Sequence, residues 1–342
     1  MKIINKKNDN IINESSLNSK FLSAFHNDLK MNCNILTDTF FLDSYNYFPI
    51  TESDNSFLDT FKWGNIDKYK NFYSDEFYSN FKKNLKDFKK FSDVYILGSS
   101  SNNNYYRNII TFLPRLFFIK EKSIKIVIHR SCSNNFRNFI KTTCLKMNIK
   151  IQFVYLDDGF FKFENSKMPQ FFEKKDSVQI LNTLKSKNEK NDKIYIVRQN
   201  TAFRNVINEN DVVEIFKNNG FRIVDTKRYD IFEEINIFSN ASLVVSATGS
   251  GLTNIVFCNK NTKIVEIAPN YKYKYEDNFK SRFSDICKYL DLKYYCFNAD
   301  SVDISKVDTN ISKKLGNKAL KESNYYKDLL LKLQTIDEIL KI

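Results

Sequence analysis

Three groups of residues in this sequence could do chemistry. The first is Thr248-Gly249-Ser250-Gly251, a run of small residues between an apolar stretch at 243–245 and a helix-compatible segment carrying Leu252, Ile255, Val256 and Phe257. A second apolar stretch, 264–267, follows and ends at Pro269. The order reads strand, turn, helix, strand. The chain has only seven glycines, and two stand in this turn. Such a turn brings backbone N–H groups close to whatever lies at the helix N-terminus, where free donors and the helix dipole favour a phosphate. The competing reading is a tight turn that needs positive φ. The second group is Arg198, closing the apolar run Ile194-Tyr195-Ile196-Val197, with Arg204 shortly after it. A guanidinium fork can hold two phosphate oxygens; a surface salt bridge is the ordinary alternative. The third is Asp157-Asp158-Gly159, at the end of the run 151–156. A carboxylate there could take a proton from a hydroxyl. Neighbours on a strand point to opposite faces, so at most one would serve, and an Asp-Asp-Gly turn is the plainer reading. Glu266, at the end of its strand, could accept from a ribose or sugar hydroxyl or be a salt-bridged carboxylate.

The elements that must position these groups alternate. A strand at 94–97 runs into Gly98-Ser99-Ser100-Ser101. A helix over 104–119, bent by Pro114, a strand at 124–128, a helix over 135–147 and the strand at 151–156 follow. This predicts parallel βαβ units, which place ligands at the C-terminal ends of their strands. Residues 166–192 are polar and Lys-rich and read as a connection. A second series starts at Ile194. It has a helix opening at Asp211 with Glu214 as a capping box and closed by Gly220, a strand at 221–224, and a helix over 231–238. After the glycine turn come a helix over 275–290 and a strand at 294–297. Residues 65–91 interleave Phe and Tyr with lysines at helical spacing, read as a core face. Residues 303–342 read as two helical pieces, the last striped by Tyr326, Leu329, Leu330, Leu333 and Leu340. The expected domains are 1–180, with 1–30 a polar arm, then 181–300, then C-terminal helices over 301–342 that pack back across both.

Length and composition fit this. A chain of 342 residues suits two domains, and 32 Phe and 19 Tyr supply sizeable cores. A net charge of +13 points first to nucleic acid or an anionic membrane. The richness in Lys, Asn, Ile, Phe and Tyr, with few Gly, Pro and Trp, has a plainer cause in A/T-rich coding, and no nucleic-acid partner is expected. Six scattered cysteines without a C-x-x-C pair and only two histidines exclude a Cys/His zinc site. Free thiols fit a reducing cytosol. No signal peptide is read, and the longest apolar stretch, 109–119, is too short to span a bilayer. A cytoplasmic protein is expected, with room for a peripheral contact at the inner face of the membrane.

The ordered set of motifs resembles glycosyltransferase family 61, the group of bacterial capsular-polysaccharide transferases, plant xylan-decorating transferases and O-mannose and extracellular O-GlcNAc transferases. That family has a strand ending in Arg, a second Arg and an Asn-Glu pair, matched by Arg198, Arg204 and Asn208-Glu209. Its Gly-Phe strand is matched by Gly220-Phe221. Its G-P-H-G-A-G-L-T-N motif and V-[VI]-E-[LI] strand are matched by the segment from Ser246 to Asn254 and by Ile264-Val265-Glu266-Ile267. Upstream, N-Y-Y-H-W and L-P-R-L are matched by Asn104-Tyr105-Tyr106-Arg107-Asn108 and Leu113-Pro114-Arg115-Leu116. The resemblance covers roughly residues 93–270.

It implies an α/β, GT-B type fold, two Rossmann-like domains with parallel sheets facing a central cleft. It implies an inverting glycosyltransferase, hexosyl or pentosyl, using a nucleotide sugar and working in capsule, lipopolysaccharide or other surface polysaccharide synthesis. The donor, with a UDP-sugar favoured, would be held by Arg198, Arg204, Thr248, Gly249, Ser250, Gly251, Leu252, Thr253, Asn254 and Glu266. The catalytic candidates are Asp158, Asp157 and Arg107. Asn104, Tyr106 and Arg115 would meet a glycan or lipid-linked oligosaccharide acceptor. No cofactor is expected, and the lack of a D-x-D run weighs against a metal. Three positions depart from the family pattern: Thr248 and Arg107 replace its histidines, and Thr111 its acidic residue. Either another base serves, or the chain is an inactive relative that binds nucleotide sugar or a partner transferase.

Overall fold

The structure, a computed structural model, describes residues 86–186, 191–199, 201–271, 281–303 and 323–342, together with 3–4, 21–26, 31–37, 39–44, 47, 49–51, 57–58, 81 and 83. The helices expected over 65–91 lie mostly outside the described residues, as do the first residues of the expected 275–290 helix and residues 304–322. The chain divides into two compact units, Met1–Ser177 and Val178–Ile342.

Among its described residues the first unit holds twelve strands. They are β1 (Ile3–Ile4), β2 (Phe21–His26), β3 (Met31–Leu36), β4 (Phe40–Asp43), β5 (Pro49–Thr51), β6 (Phe57–Leu58), β7 (Lys89–Ser92), β8 (Val94–Ile96), β9 (Ser123–His129), β10 (Lys150–Leu156), β11 (Phe160–Glu164) and β12 (Met168–Pro169). Only β10-β9-β8 form a parallel sheet, in that order. The other two sheets, β1-β6-β5-β4-β11-β7 and β12-β3-β2, are mainly antiparallel. This unit is therefore not the simple parallel layer expected, and the polar start is not an arm throughout: β2 pairs along its length with β3. Leu36, Phe40, Leu42, Ile96, Phe112, Val127 and Phe163 share one buried core.

The helix expected over 104–119 is three pieces: one α turn (α1, Tyr105–Arg107), a π segment (Asn108–Phe112) and a 3-10 segment (Leu113–Phe118). Pro114 has no N–H to give the regular ladder, so the chain changes pitch around it. Helix α2 (Asn134–Lys146) is capped by Ser133, whose Oγ accepts from the Phe136 amide. Helix α3 (Lys174–Asn182) runs across the boundary between the units.

The second unit adds β13 (Asp192–Ile196), α4 (Glu209–Asn218), β14 (Arg222–Val224), α5 (Ile231–Ser239), β15 (Ala241–Ala247), β16 (Lys263–Pro269), α6 (Arg282–Tyr289), β17 (Lys293–Val302), β18 (Asp328–Leu330) and α7 (Leu333–Leu340). One sheet runs β14-β13-β15-β16-β17-β18, parallel except for the last pair. Its first five strands follow the doubly wound order 2-1-3-4-5, whose switch point lies between β13 and β15. The strands are continuous apolar runs because both faces are covered: Ile194, Val244, Val245, Ile264 and Val265 are buried.

Two local expectations fail here. The capping box falls on Asp230 and Glu233 at α5, while α4 opens at Asn208, whose amide side chain is spent on both backbone groups of Leu331. The C-terminal stripe is not one helix. Leu329 and Leu330 lie in β18, which fills the open edge of β17. Pairing an edge outweighs helical periodicity; α7 then packs Ile336 and Ile339 into the same core as Leu329. Among the described residues no helix is long and apolar enough to cross a membrane, and no group of three or more metal-binding side chains comes together.

Candidate functional site

The second unit's cluster sits at the switch point. Strand β13 delivers Arg198, and its position is fixed from behind. Glu209, buried at the start of α4, accepts from the Arg198 backbone N–H at 3.0 Å and from the Tyr195 hydroxyl at 2.6 Å. The Asn-Glu pair is thus scaffold: Asn208 ties down the chain at Leu331 and Glu209 ties down the strand end. The Arg198 guanidinium donates from Nε to the Arg204 carbonyl at 2.9 Å and from Nη2 to the Phe203 carbonyl at 3.0 Å.

Nη1 lies against the glycine turn. A Cβ added to Gly249 would stand 2.1 Å from it. Gly249 itself has φ 176, extended backbone open to any residue. The turn therefore needs glycine for close approach and not for positive φ.

Arg204 is buried and has φ 61, left-handed backbone that costs an arginine about 1 kcal/mol or more. Nε donates to the Thr248 carbonyl and Nη1 to the Tyr325 carbonyl, both at 3.0 Å. Its guanidinium lies 4.0 Å from the Tyr325 ring centroid and 4.6 Å from that of Phe203. Among the described residues neither guanidinium pairs with a carboxylate. Burial first, and the Arg204 charge second, push Arg198 down to about 9. Burial opposes ionisation of Tyr325, yet Arg204 and Arg282 bring its phenol below the ordinary range. The cluster gathers the positive charges of Arg198, Arg204 and Arg282.

The turn leads into a 3-10 helix, Ser250–Phe257. The Leu252 amide is taken by the Gly249 carbonyl at 3.1 Å; among the described residues the Ser250 and Gly251 amides, like that of buried Gly249, meet no acceptor. Leu252, Thr253 and Asn254 are buried, and Ser250 is exposed. The sequence reading assigned all of them to the donor; of these, Ser250 is exposed and Gly251 half-buried, whereas Leu252, Thr253 and Asn254 are buried. Thr248 is also buried, and its hydroxyl donates to Glu266. Tyr294 donates to the other Glu266 oxygen at 2.7 Å. Burial raises Glu266 to about 7, against the Tyr294 bond and the charges of Arg204 and Arg282. Glu266 is buried and each of its oxygens accepts one internal hydrogen bond, so within the chain it braces the turn.

In the first unit, β9 and β10 end together, with Leu156 in register with His129. The two aspartates diverge. Asp157 accepts from Arg130 Nε at 2.5 Å and Nη2 at 3.3 Å, and this bond holds its carboxyl below the usual range. Asp158 faces His129, with Oδ1 3.1 Å from Nε2. The Ser44 hydroxyl accepts from the Gly159 amide and donates to the Asp157 carbonyl, holding the turn.

Asn104 caps α1 by accepting from the Arg107 amide at 3.0 Å. Tyr106 and Arg107 are half-buried. Arg115 is fully buried: Nε and Nη2 donate to the Pro169 carbonyl, Nη1 to the Leu97 carbonyl, and Phe171 covers it at 4.1 Å. It cannot meet an acceptor. The arginine of L-P-R-L ties segments together because its three guanidinium nitrogens fill the carbonyls of Pro169 and Leu97.

Sequence reasoning missed His129 and Tyr325. One of only two histidines, His129 ends the strand beside the one that ends in Asp158; that was its available signal. Tyr325 had none, since it reaches Arg204 only through the path of the C-terminal segment. The family model described as Glycosyltransferase 61 matches residues 94–265, just over half the chain. The matched stretch takes in β8, β9, β10 and the switch point, and stops short of Tyr325. No curated protein matches the chain.

Proposed function

The chain belongs to glycosyltransferase family 61, and from that premise we propose that it is an inverting, GT-B type enzyme moving a sugar from a nucleotide sugar to a glycan acceptor. The observation that carries this is the pair of guanidiniums, Arg204 buried and Arg198 half-buried, without carboxylate partners among the described residues, set beside amides that no described group accepts from at a doubly wound switch point. A diphosphate supplies the missing negative charge, and Arg198 Nη1 with the Ser250 and Gly251 amides are the donors left for it. Those groups stabilise the departing nucleoside diphosphate as the glycosidic bond breaks. Asp158 takes the acceptor proton, since Asp157 is spent on Arg130. A UDP-sugar is the favoured donor, and a surface polysaccharide of capsule or lipopolysaccharide type, with a glycan or lipid-linked oligosaccharide end, is the acceptor class.

The second reading has its own observation. At Thr248, where the family has a histidine, the hydroxyl is buried against Glu266 and can take no proton. Release of nucleotide from UDP-, GDP-, dTDP- and CMP-sugars separates the two. Turnover of one donor that is lost in Arg198→Ala supports the enzyme. A wild-type chain that binds a nucleotide yet turns over no donor is the inactive relative.

A further inference from the structure

We propose that His129 is a positioning residue for Asp158, fixing one carboxylate oxygen so that the other receives the acceptor proton. This rests on the reading of Asp158 as the base. The His129 ring is held on both sides. Its backbone N–H donates to the buried Ser99 hydroxyl at 2.9 Å. Nδ1 accepts from the Ser131 backbone N–H at 3.1 Å and lies 2.7 Å from the Ser131 hydroxyl oxygen. A ring nitrogen that accepts carries no proton, so the neutral ring keeps its proton on Nε2, directed at Asp158 Oδ1 at 3.1 Å.

The burial order separates this pair from a hydrolytic triad. There the carboxylate is buried and orients an imidazole that reacts. Here the His129 side chain is 7% exposed and that of Asp158 is 82% exposed. The carboxylate is the reacting member and the imidazole orients it. Among the described residues Asp158 Oδ2 meets no partner, while both oxygens of neighbouring Asp157 contact Arg130. The pair thus selects one carboxylate of two and one oxygen of that carboxylate.

In the step itself the acceptor O–H breaks and its proton goes to Asp158 Oδ2. The acceptor oxygen bonds to the anomeric carbon. The bond from that carbon to the diphosphate oxygen breaks, and the diphosphate leaves with the electron pair. His129 keeps its Nε2 proton on Oδ1 throughout. An exposed carboxylate free to rotate would present either oxygen; one bonded to a locked ring presents Oδ2 alone.

The test uses the full chain with His129→Phe and His129→Gln, the latter keeping an N–H within reach of Asp158. Nucleotide release from UDP-, GDP-, dTDP- and CMP-sugars is measured for each. His129→Phe should lower kcat by roughly 100-fold, with the donor KM unchanged, and His129→Gln should recover to within about tenfold of wild type. Equal losses in both variants, or no loss in either, overturn the proposal. With only two histidines in the chain, the nitrogen-15 imidazole spectrum supplies a readout independent of activity. A His129 ring protonated on Nε2 in wild type and altered in Asp158→Asn supports the pair; a ring identical in both overturns it. A wild-type chain that turns over no donor overturns the base role, and the same spectrum then tells that failure apart from a failure of the pairing.

Discussion

The two strand-end clusters are built on opposite electrostatics. At the switch point of the second unit, Arg204 is packed inside and stacked on rings and Arg198 is half-buried beside it; both bond to carbonyls, and among the described residues no carboxylate meets either guanidinium. At the end of β9 and β10, Asp157 pairs with Arg130, Asp158 faces the His129 ring, and the acids stand at the surface. Burying uncompensated cations is costly, so such a cluster persists where something outside the chain completes it. Exposed pairs cost little and contribute little to stability; what they fix is direction. On the function proposed above the first cluster holds an anion and the second takes a proton, and they should fail differently when altered.

Asp158→Asn should have the largest effect, lowering the turnover rate about a thousandfold while leaving nucleotide affinity unchanged. A parallel fall in affinity would erase the division of labour. Glu266 tests whether the buried cluster pays for its position. Its raised carboxyl means that the folded chain holds a proton which the unfolded chain releases between pH 4.5 and about 7. Its contribution to stability is therefore present at low pH and lost as pH rises through that window, by at most about 3 kcal/mol. Unfolding of Glu266→Gln across this range should lack that slope; an unchanged slope would remove Glu266 from the account. Gly249→Ala drives a methyl into Arg198 and should weaken UDP binding by about thirtyfold, the worth of one displaced charge-assisted bond. Adding Arg198→Ala to it should then cost little more, whereas additive losses would separate the two residues. Asp157→Asn should be the mildest, with turnover within about threefold of wild type, since an exposed ion pair carries little energy.

The sequence made some of this legible for a physical reason. Strands buried on both faces read as unbroken apolar runs, so β13, β15 and β16 could be placed, and with them Arg198 and the glycine turn. The mainly antiparallel sheets of the first unit could not be, because their short aromatic segments carry no clear period. Pairings between distant residues were equally hidden. Arg115 looks like a binding residue until Pro169 and Leu97 are seen to occupy its nitrogens. Asp157 and Asp158 look alike until Arg130 and His129 distinguish them. Gly249 reads equally as part of a phosphate cradle or as a glycine required by its φ until its φ of 176 removes the second and the approach of Arg198 explains the glycine.

The most direct measurement is the melting temperature of wild type, Arg198→Ala and Arg204→Ala with UDP, GDP, CMP and dTDP. The switch-point site predicts a clear rise for wild type with one of the diphosphates and a smaller rise or none in both variants. A rise of equal size in all three proteins would contradict it.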